Sequence, residues 1–161
     1  MPFHHFLRPY CASKNVLITP LQALLYTGIL ATHGKVVTPH LLRSIHYTEN
    51  EAIENPVYPV SYVTDISAST WKEIDHGMLN AVQSSWGTGR TANVPGLNMY
   101  GKTGTAQNPH GEPHGWFIGY SKHKDFPYAV VVFVEYGIAG ADVAAPVAGQ
   151  LLKAYYYMRE Q

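Results

Sequence analysis

Residues Gly101-Lys102-Thr103-Gly104-Thr105-Ala106-Gln107 bring a cation, two hydroxyls and two bare backbone positions within one short stretch that opens a strand-like pattern. Successive side chains of a strand alternate faces, so Lys102 and Gly104 point one way while Thr103 and Thr105 point the other. Sheet twist or a bulge at glycine can turn neighbours toward one cleft. Gly104 lets a substrate backbone approach closely, and exposed strand amides can pair with an extended peptide. Lys102 can favour a carboxylate or the deprotonated form of a nearby nucleophile. Amide donors fixed around a developing oxyanion are worth roughly 3 kcal/mol each in acyl transfer. The stretch therefore reads as one wall of a catalytic cleft. Taken by itself, a Lys-Thr-Gly triplet also fits a surface turn, so its flanks must carry the argument.

A serine acyl-transfer site needs an activated nucleophile, and two Ser-x-x-Lys spacings exist: Ser69 with Lys72, and Ser121 with Lys124. The second sits in a charged turn between strands and reads as solvated surface. The first could place a serine at a helix start with a lysine one turn later. Thr70 with Glu73, however, reads as a capping box ahead of an apolar face of Trp71, Ile74, Met78 and Val82. Nine histidines invite a metal hypothesis, yet His33, His40, His46 and His76 scatter over different elements. His110 and His114 flank a Gly-Glu-Pro turn. No His-Glu-x-x-His pattern occurs, and the reading is no metal and no other cofactor.

These residues must be positioned by helices followed by a sheet. Residues 19–33 read as a helix with Thr19 as N-cap, Pro20 in the first turn and Gly34 past the end; Leu21, Leu24, Leu25 and Ile29 mark its buried face. Residues 36–47 suit a short connecting element, and the proline-punctuated, acidic 48–59 a loop. A second helix spans about 70–84 and ends at the glycine-rich turn Trp86-Gly87-Thr88-Gly89, which lacks the phosphate-loop pattern. Strands follow at 97–106, 114–121 and 127–135, separated as hairpins would be. Val130 to Val134 is apolar on both faces and calls for cover on both sides. Residues 142–157 form a last helix whose Val143, Val147, Leu151 and Tyr155 stripe can lie on the sheet. The fold class is α+β, an antiparallel three-stranded sheet covered by helices.

Eleven basic and eleven acidic residues cancel, leaving no electrostatic footprint for nucleic acid or an anionic membrane. The single Cys11 excludes an internal disulfide framework. No run of about 18 apolar residues suggests a membrane span, and no signal-peptide core stands at the start.

An ordered set of segments carries a resemblance. It comprises Ile18-Thr19-Pro20-Leu21-Gln22, Trp71 through Gly77-Met78, Gly87-Thr88-Gly89, Gly101 to Gln107, Pro113 to Tyr120, Ala129 to Val134, and Ala144-Ala145-Pro146-Val147-Ala148. Together they resemble the end of the transpeptidase domain of class B penicillin-binding proteins, of the elongation type 2. The resemblance implies the penicillin-binding/serine β-lactamase-like fold, with residues 17–161 as its C-terminal portion. Residues 1–16 depart from the pattern, as an atypical start or a truncation boundary. It also implies a catalytic wall of Lys102, Thr103, Gly104 and Thr105, the Thr105 amide being an oxyanion donor. Substrate contacts then fall to Lys102, Thr103, Thr105, Gln107 and His114, which lies beside the cleft. The implied activity is serine-type D,D-transpeptidation of peptidoglycan stem peptides ending in D-Ala-D-Ala, trapped by β-lactams, in cell-wall and cell-shape synthesis.

The resemblance demands a Ser-x-x-Lys nucleophile followed by a Ser-x-Asn; neither has a convincing counterpart here, since the nominal Ser13-Lys14-Asn15 precedes Ser69 and abuts the next helix, so the chain is not expected to be active alone. The remainder of the transpeptidase domain is then an expected partner, alongside a membrane glycosyltransferase of the elongation machinery. The expected location is the periplasmic or extracytoplasmic face of the cytoplasmic membrane, with the anchor outside this chain. Another reading is a non-catalytic docking module that binds cell-wall peptide or a partner; a third uses Ser69 and Lys72.

Overall fold

A computed structural model describes residues 10–13, 16–46 and 53–159. His4, His5, Lys14, Asn15 and the stretch 48–52 lie outside the described residues. The first described elements are a hairpin of β1 (Tyr10–Ser13) and β2 (Val16–Ile18), Cys11 pairing with Leu17. Helix α1 (Pro20–Ala31) starts where expected: Gln22 N–H donates to Thr19 Oγ1 at 3.1 Å while Thr19 N–H donates to Gln22 Oε1 at 2.8 Å. This reciprocal cap satisfies two otherwise orphaned amides and is worth about 1 kcal/mol.

The face α1 buries differs from the expected one. Ala23, Thr27 and Leu30 point inward, whereas Leu21 and Leu24 are exposed. Ala23 packs with Ala106 and Trp116, and a small residue there lets the helix lie close to the sheet. Thr27 is buried without penalty because its hydroxyl donates to the Ala23 carbonyl at 2.7 Å.

Between α1 and the second helix, where a connecting element over 36–47 and a loop over 48–59 are expected, the described residues hold short antiparallel pairs. These are β3 (Lys35–Val37) with β6 (Val60–Tyr62), and β4 (Ile45–His46) with β5 (Ile53–Glu54). Helix α2 (Ala68–Gln83) begins two residues before the expected start. Its cap is Ser67, whose Oγ accepts from Thr70 N–H at 3.2 Å, so the expected Thr70–Glu73 capping box does not form. The anticipated face does: Trp71, Met78 and Val82 are buried and Ile74 packs beside them.

The sheet is the expected meander, β7 (Met99–Ala106), β8 (His114–Ser121) and β9 (Ala129–Val134), in that spatial order. Lys102 pairs with Ile118 and Gly104 with Trp116 across β7 and β8. Helix α1 covers one face, α3 (Ala144–Arg159) the other, and α2 packs along β7. Cover on both faces of β9 is thus met, although only Val130 is fully buried.

The main core lies on the α3 side around Leu97, Met99, Phe117, Phe126, Ala148 and Leu152. Helix α3 does not present the expected stripe, since Val147, Leu151 and Tyr155 are 47%, 56% and 40% exposed. Ala144, Ala145, Ala148, Gly149 and Leu152 face inward instead. The helix passes so near the 3-10 turn Arg90–Ala92 that a side chain on Gly149 would stand 2.4 Å from the Thr91 carbonyl.

Candidate functional site

Strand β7 is an edge: among the described residues it pairs only with β8. Alternate residues of an edge strand turn amide and carbonyl away from their partner, ready for an extended chain. The strand can hold glycine where others cannot fit. A side chain on Gly101 would meet the Phe117 ring at 2.4 Å, so this glycine seats the ring under the strand.

Lys102 is exposed and its Nζ donates to the Thr103 carbonyl, which folds the cation onto its own strand. It borders a mostly apolar cleft of about 180 Å³, walled by Ile18, Tyr26, Lys102, Gly104, Trp116 and Ile118. Thr103 is buried, its hydroxyl 2.8 Å from that of Thr88 in the turn after α2. The Thr103 hydroxyl is thus occupied within the protein and ties that turn to the strand. Thr105 is exposed at the far end of β7, paired with Gly115, and Gln107 is exposed just beyond the strand.

His114, expected as a substrate contact, is buried. Its Nδ1 accepts from Tyr136 N–H at 3.0 Å, and its ring meets Phe133 and Tyr136 edge-on at 5.3 Å. It thereby holds the loop between β9 and α3. That loop contributes a residue sequence reading missed, Gly140, whose missing side chain would fall 2.2 Å from the Trp116 carbonyl and 2.3 Å from that of Gly104. The loop backbone therefore presses directly on the Lys-Thr-Gly strand. The available signal was the glycine-flanked small run Gly137-Ile138-Ala139-Gly140, but nothing in it specifies what it touches.

The two Ser-x-x-Lys serines sit elsewhere. Ser69 Oγ lies 2.8 Å from Ser67 Oγ at the start of α2, and no described contact joins Ser69 or Lys72 to Lys102. Ser121, expected on the surface, is buried; its hydroxyl donates to the Leu97 carbonyl at 2.6 Å and accepts from His123 N–H at 3.0 Å. It closes the end of β8. Among the described residues no histidine, cysteine and carboxylate group forms a metal cluster.

A charged network lies where α2 meets β8. Asp75 accepts from Lys122 Nζ and, at 2.7 Å, from the Tyr120 hydroxyl, while His33 Nε2 stands 2.9 Å away. Burial alone would raise the Asp75 carboxyl, but the bonds from Lys122, Tyr120 and His33 outweigh it and hold the pKa below its ordinary value. Burial, then the bond to Asp75, pushes the Tyr120 hydroxyl upward. A carboxylate depressed on folding contributes stability above its ordinary range and loses it as pH falls through the folded value. We predict that Asp75→Asn costs about 1 to 2 kcal/mol at neutral pH. Chemical denaturation below about pH 4 should show that the wild-type advantage has shrunk; an unchanged difference would contradict the assignment.

The sequence profile of the penicillin binding protein transpeptidase domain matches residues 8–153. The peptidoglycan D,D-transpeptidase MrdA of Haemophilus influenzae is 34% identical over 88% of this chain, which spans 24% of that protein. PBP2 of Pseudomonas aeruginosa, solved in complex with WCK 5153, superposes with a TM-score of 0.71 at 30% identity, over 89% of this chain and 30% of its own. PBP2 of Helicobacter pylori, solved in complex with MreC, superposes with a TM-score of 0.60 at 25% identity, over 92% and 26%. The chain thus spans about a quarter to a third of these relatives. An edge strand bearing Lys-Thr-Gly, set between helices in this order and matched along nearly the whole sequence, leaves one assignment: the chain belongs to the penicillin-binding protein transpeptidase family and is homologous to part of the domain of class B PBP2.

Proposed function

We propose that the chain supplies the Lys-Thr-Gly wall of a D,D-transpeptidase that cross-links peptidoglycan stem peptides, with β-lactams as mimics of the acyl donor. The observation that carries this reading is the edge position of β7, with Lys102 exposed beside an apolar cleft. A stem peptide laid along that edge extends the sheet, and Lys102 offers its carboxylate a cation. The Thr105 amide lies at the end of the groove, where it would steady the oxyanion of the acyl intermediate. Thr103 and His114 act by position: one links the strand to the turn after α2, the other holds the loop behind it.

The attacking serine belongs to a partner segment of the same domain, because the Ser69 hydroxyl is engaged with that of Ser67 and Ser121 closes the end of β8. The reading carries with it the extracytoplasmic face of the membrane and the elongation machinery of cell-wall synthesis. No described helix is long and apolar enough to cross a membrane. No bound cofactor enters the reaction.

The test uses fluorescent penicillin and mass mapping. The 161-residue chain is expected to take no label. A chimera in which residues 17–159 replace the matching part of P. aeruginosa PBP2 is expected to label on that protein's own serine. Lys102→Ala in the chimera should slow labelling about a hundredfold. A folded chimera that stays unlabelled, or one indifferent to Lys102→Ala, overturns the proposal. An adduct on Ser69 of the chain alone moves the nucleophile here, and stem-peptide binding without acylation of the chimera points to a docking module.

A further inference from the structure

Three polar atoms close a triangle where the end of α1, the middle of α2 and the end of β8 meet. Asp75 Oδ2 lies 2.9 Å from His33 Nε2 and accepts from Lys122 Nζ, and the two nitrogens are 3.0 Å apart. Lys122 brings three hydrogens and the carboxylate none, so the pattern turns on the ring nitrogen. With a lone pair on Nε2, Lys122 donates to both partners, and the contact between ring and carboxylate holds no hydrogen. With a hydrogen on Nε2, the ring donates to Asp75 and aims an N–H at the ammonium. While Lys122 is charged, no placement of protons puts a hydrogen bond on all three sides.

The three members differ in freedom. His33 takes a left-handed backbone, φ 54°, just past α1, where its amide donates to the Leu30 carbonyl at 3.3 Å. Its ring stacks on Trp71 at 5.6 Å, the planes 14° apart. Asp75 is fixed by the Tyr120 hydroxyl at 2.7 Å. Lys122 stands on a long stem beyond β8, its Nζ 5.1 Å from the centre of the Tyr100 ring and 5.7 Å from that of Tyr120. Lys122 is therefore the member that can leave.

The groups that meet the ring are Asp75 from α2 and Lys122 from the end of β8, with the Tyr120 and Tyr100 phenols behind them on β8 and β7. Burial alone would raise Asp75, but its bonds, that from Lys122 foremost, hold it below its ordinary value. Burial, then the Asp75 charge, raises Tyr100; burial, then the bond to Asp75, raises Tyr120. The carboxylate thus stays charged and the phenols neutral between about pH 5 and 8, the range in which histidine changes charge. The His33 side chain is 43% exposed and open to protons from solvent.

We propose that His33 is a proton sensor that exchanges partners at this junction. When the ring takes up one proton from solvent, Nε2–H bonds Asp75, and Lys122 is expelled from the triangle and from the two tyrosine rings. In the neutral form one ammonium ties the end of β8 to both helices. In the charged form that tie is lost, and the cation leaves the ring of Tyr100, two residues ahead of Lys102 on β7.

The experiment follows the Lys122 ε-methylene signals by NMR in the full chain as the pH falls from about 8 to 5, the signals being identified by their loss in Lys122→Met. The carbon-bound hydrogens of the His33 ring report its own titration. The Lys122 signals, displaced by the two tyrosine rings at the alkaline end, are expected to move to the position of a solvated lysine with the same midpoint as His33. In His33→Phe, which keeps an aromatic ring against Trp71, they should stay in place over that range. Lys122→Met removes the neighbouring cation and should raise the His33 midpoint by about one pH unit. The wild-type comparison of midpoints needs no variant, so the proposal stays testable if a substitution unfolds the chain. Lys122 signals that ignore the His33 titration, an equal movement in His33→Phe, or a His33 midpoint unchanged in Lys122→Met overturns it.

Discussion

Gly140→Ala is expected to cost at least 3 kcal/mol, enough to unfold a marginal domain at ambient temperature. The added methyl would stand 2.2 Å from one carbonyl and 2.3 Å from another, both on the paired backbone of β7 and β8. Neither oxygen can swing aside as a side-chain tip could, so the loop must lift or the strands must part. Gly77→Ala is the matched control, because nothing lies within 4 Å of a methyl there and the position is inside α2. Its expected effect is a gain of about 0.5 to 1 kcal/mol. Thermal or urea unfolding of the two variants gives opposite signs; a Gly140→Ala protein as stable as wild type would mean that the loop does not sit against the strand.

Phe117→Ala is expected to cost about 3 to 5 kcal/mol. The ring is fully buried in the main core, and it occupies space that Gly101 and Gly119 leave open. Side chains at those glycines would come within 2.4 Å and 2.7 Å of it. This makes a cycle that a generic core position would not: Gly101→Ala should be strongly destabilising in the wild type and nearly neutral once Phe117 is Ala. A coupling of about 1 kcal/mol or more between the two sites is the expected reading of urea unfolding for the four proteins. Additive losses would show that the ring does not bear on Gly101, the residue before Lys102.

Much of the architecture was legible because local chemistry and tertiary packing agree. Thr19 and Pro20 mark the start of α1, and Pro113 sits just outside β8, whereas β9 starts at Ala129, two residues after the expected start at Pro127. The faces of α1 and α3 were misread for one reason. Sequence pattern assigns burial to bulky residues, while close contact of these helices with the sheet and the 3-10 turn selects Ala23, Ala145, Ala148 and Gly149. The cap of α2 was misplaced because Ser67, Ser69 and Thr70 all carry a hydroxyl near the helix start, and Ser67 is the one in extended backbone, with φ −67° and ψ 155°.

At the candidate site, that Lys102 to Thr105 lie on one strand could be read from the sequence, because glycine and threonine alternate there in an extended pattern. What packs behind that strand could not. Gly140 and the bond from Tyr136 to His114 depend on contacts across 20 residues or more, which no local pattern encodes.

The bond from the Lys102 ammonium to the Thr103 carbonyl bears on how an anion would arrive. A surface lysine sweeps a wide volume, and its four torsions must freeze when a partner is caught. Leashed to its own strand, this one has surrendered that freedom during folding. Capture of an anion at β7 would therefore take less disorder out of the protein than capture by an untethered lysine, with the charge held at one point along the strand.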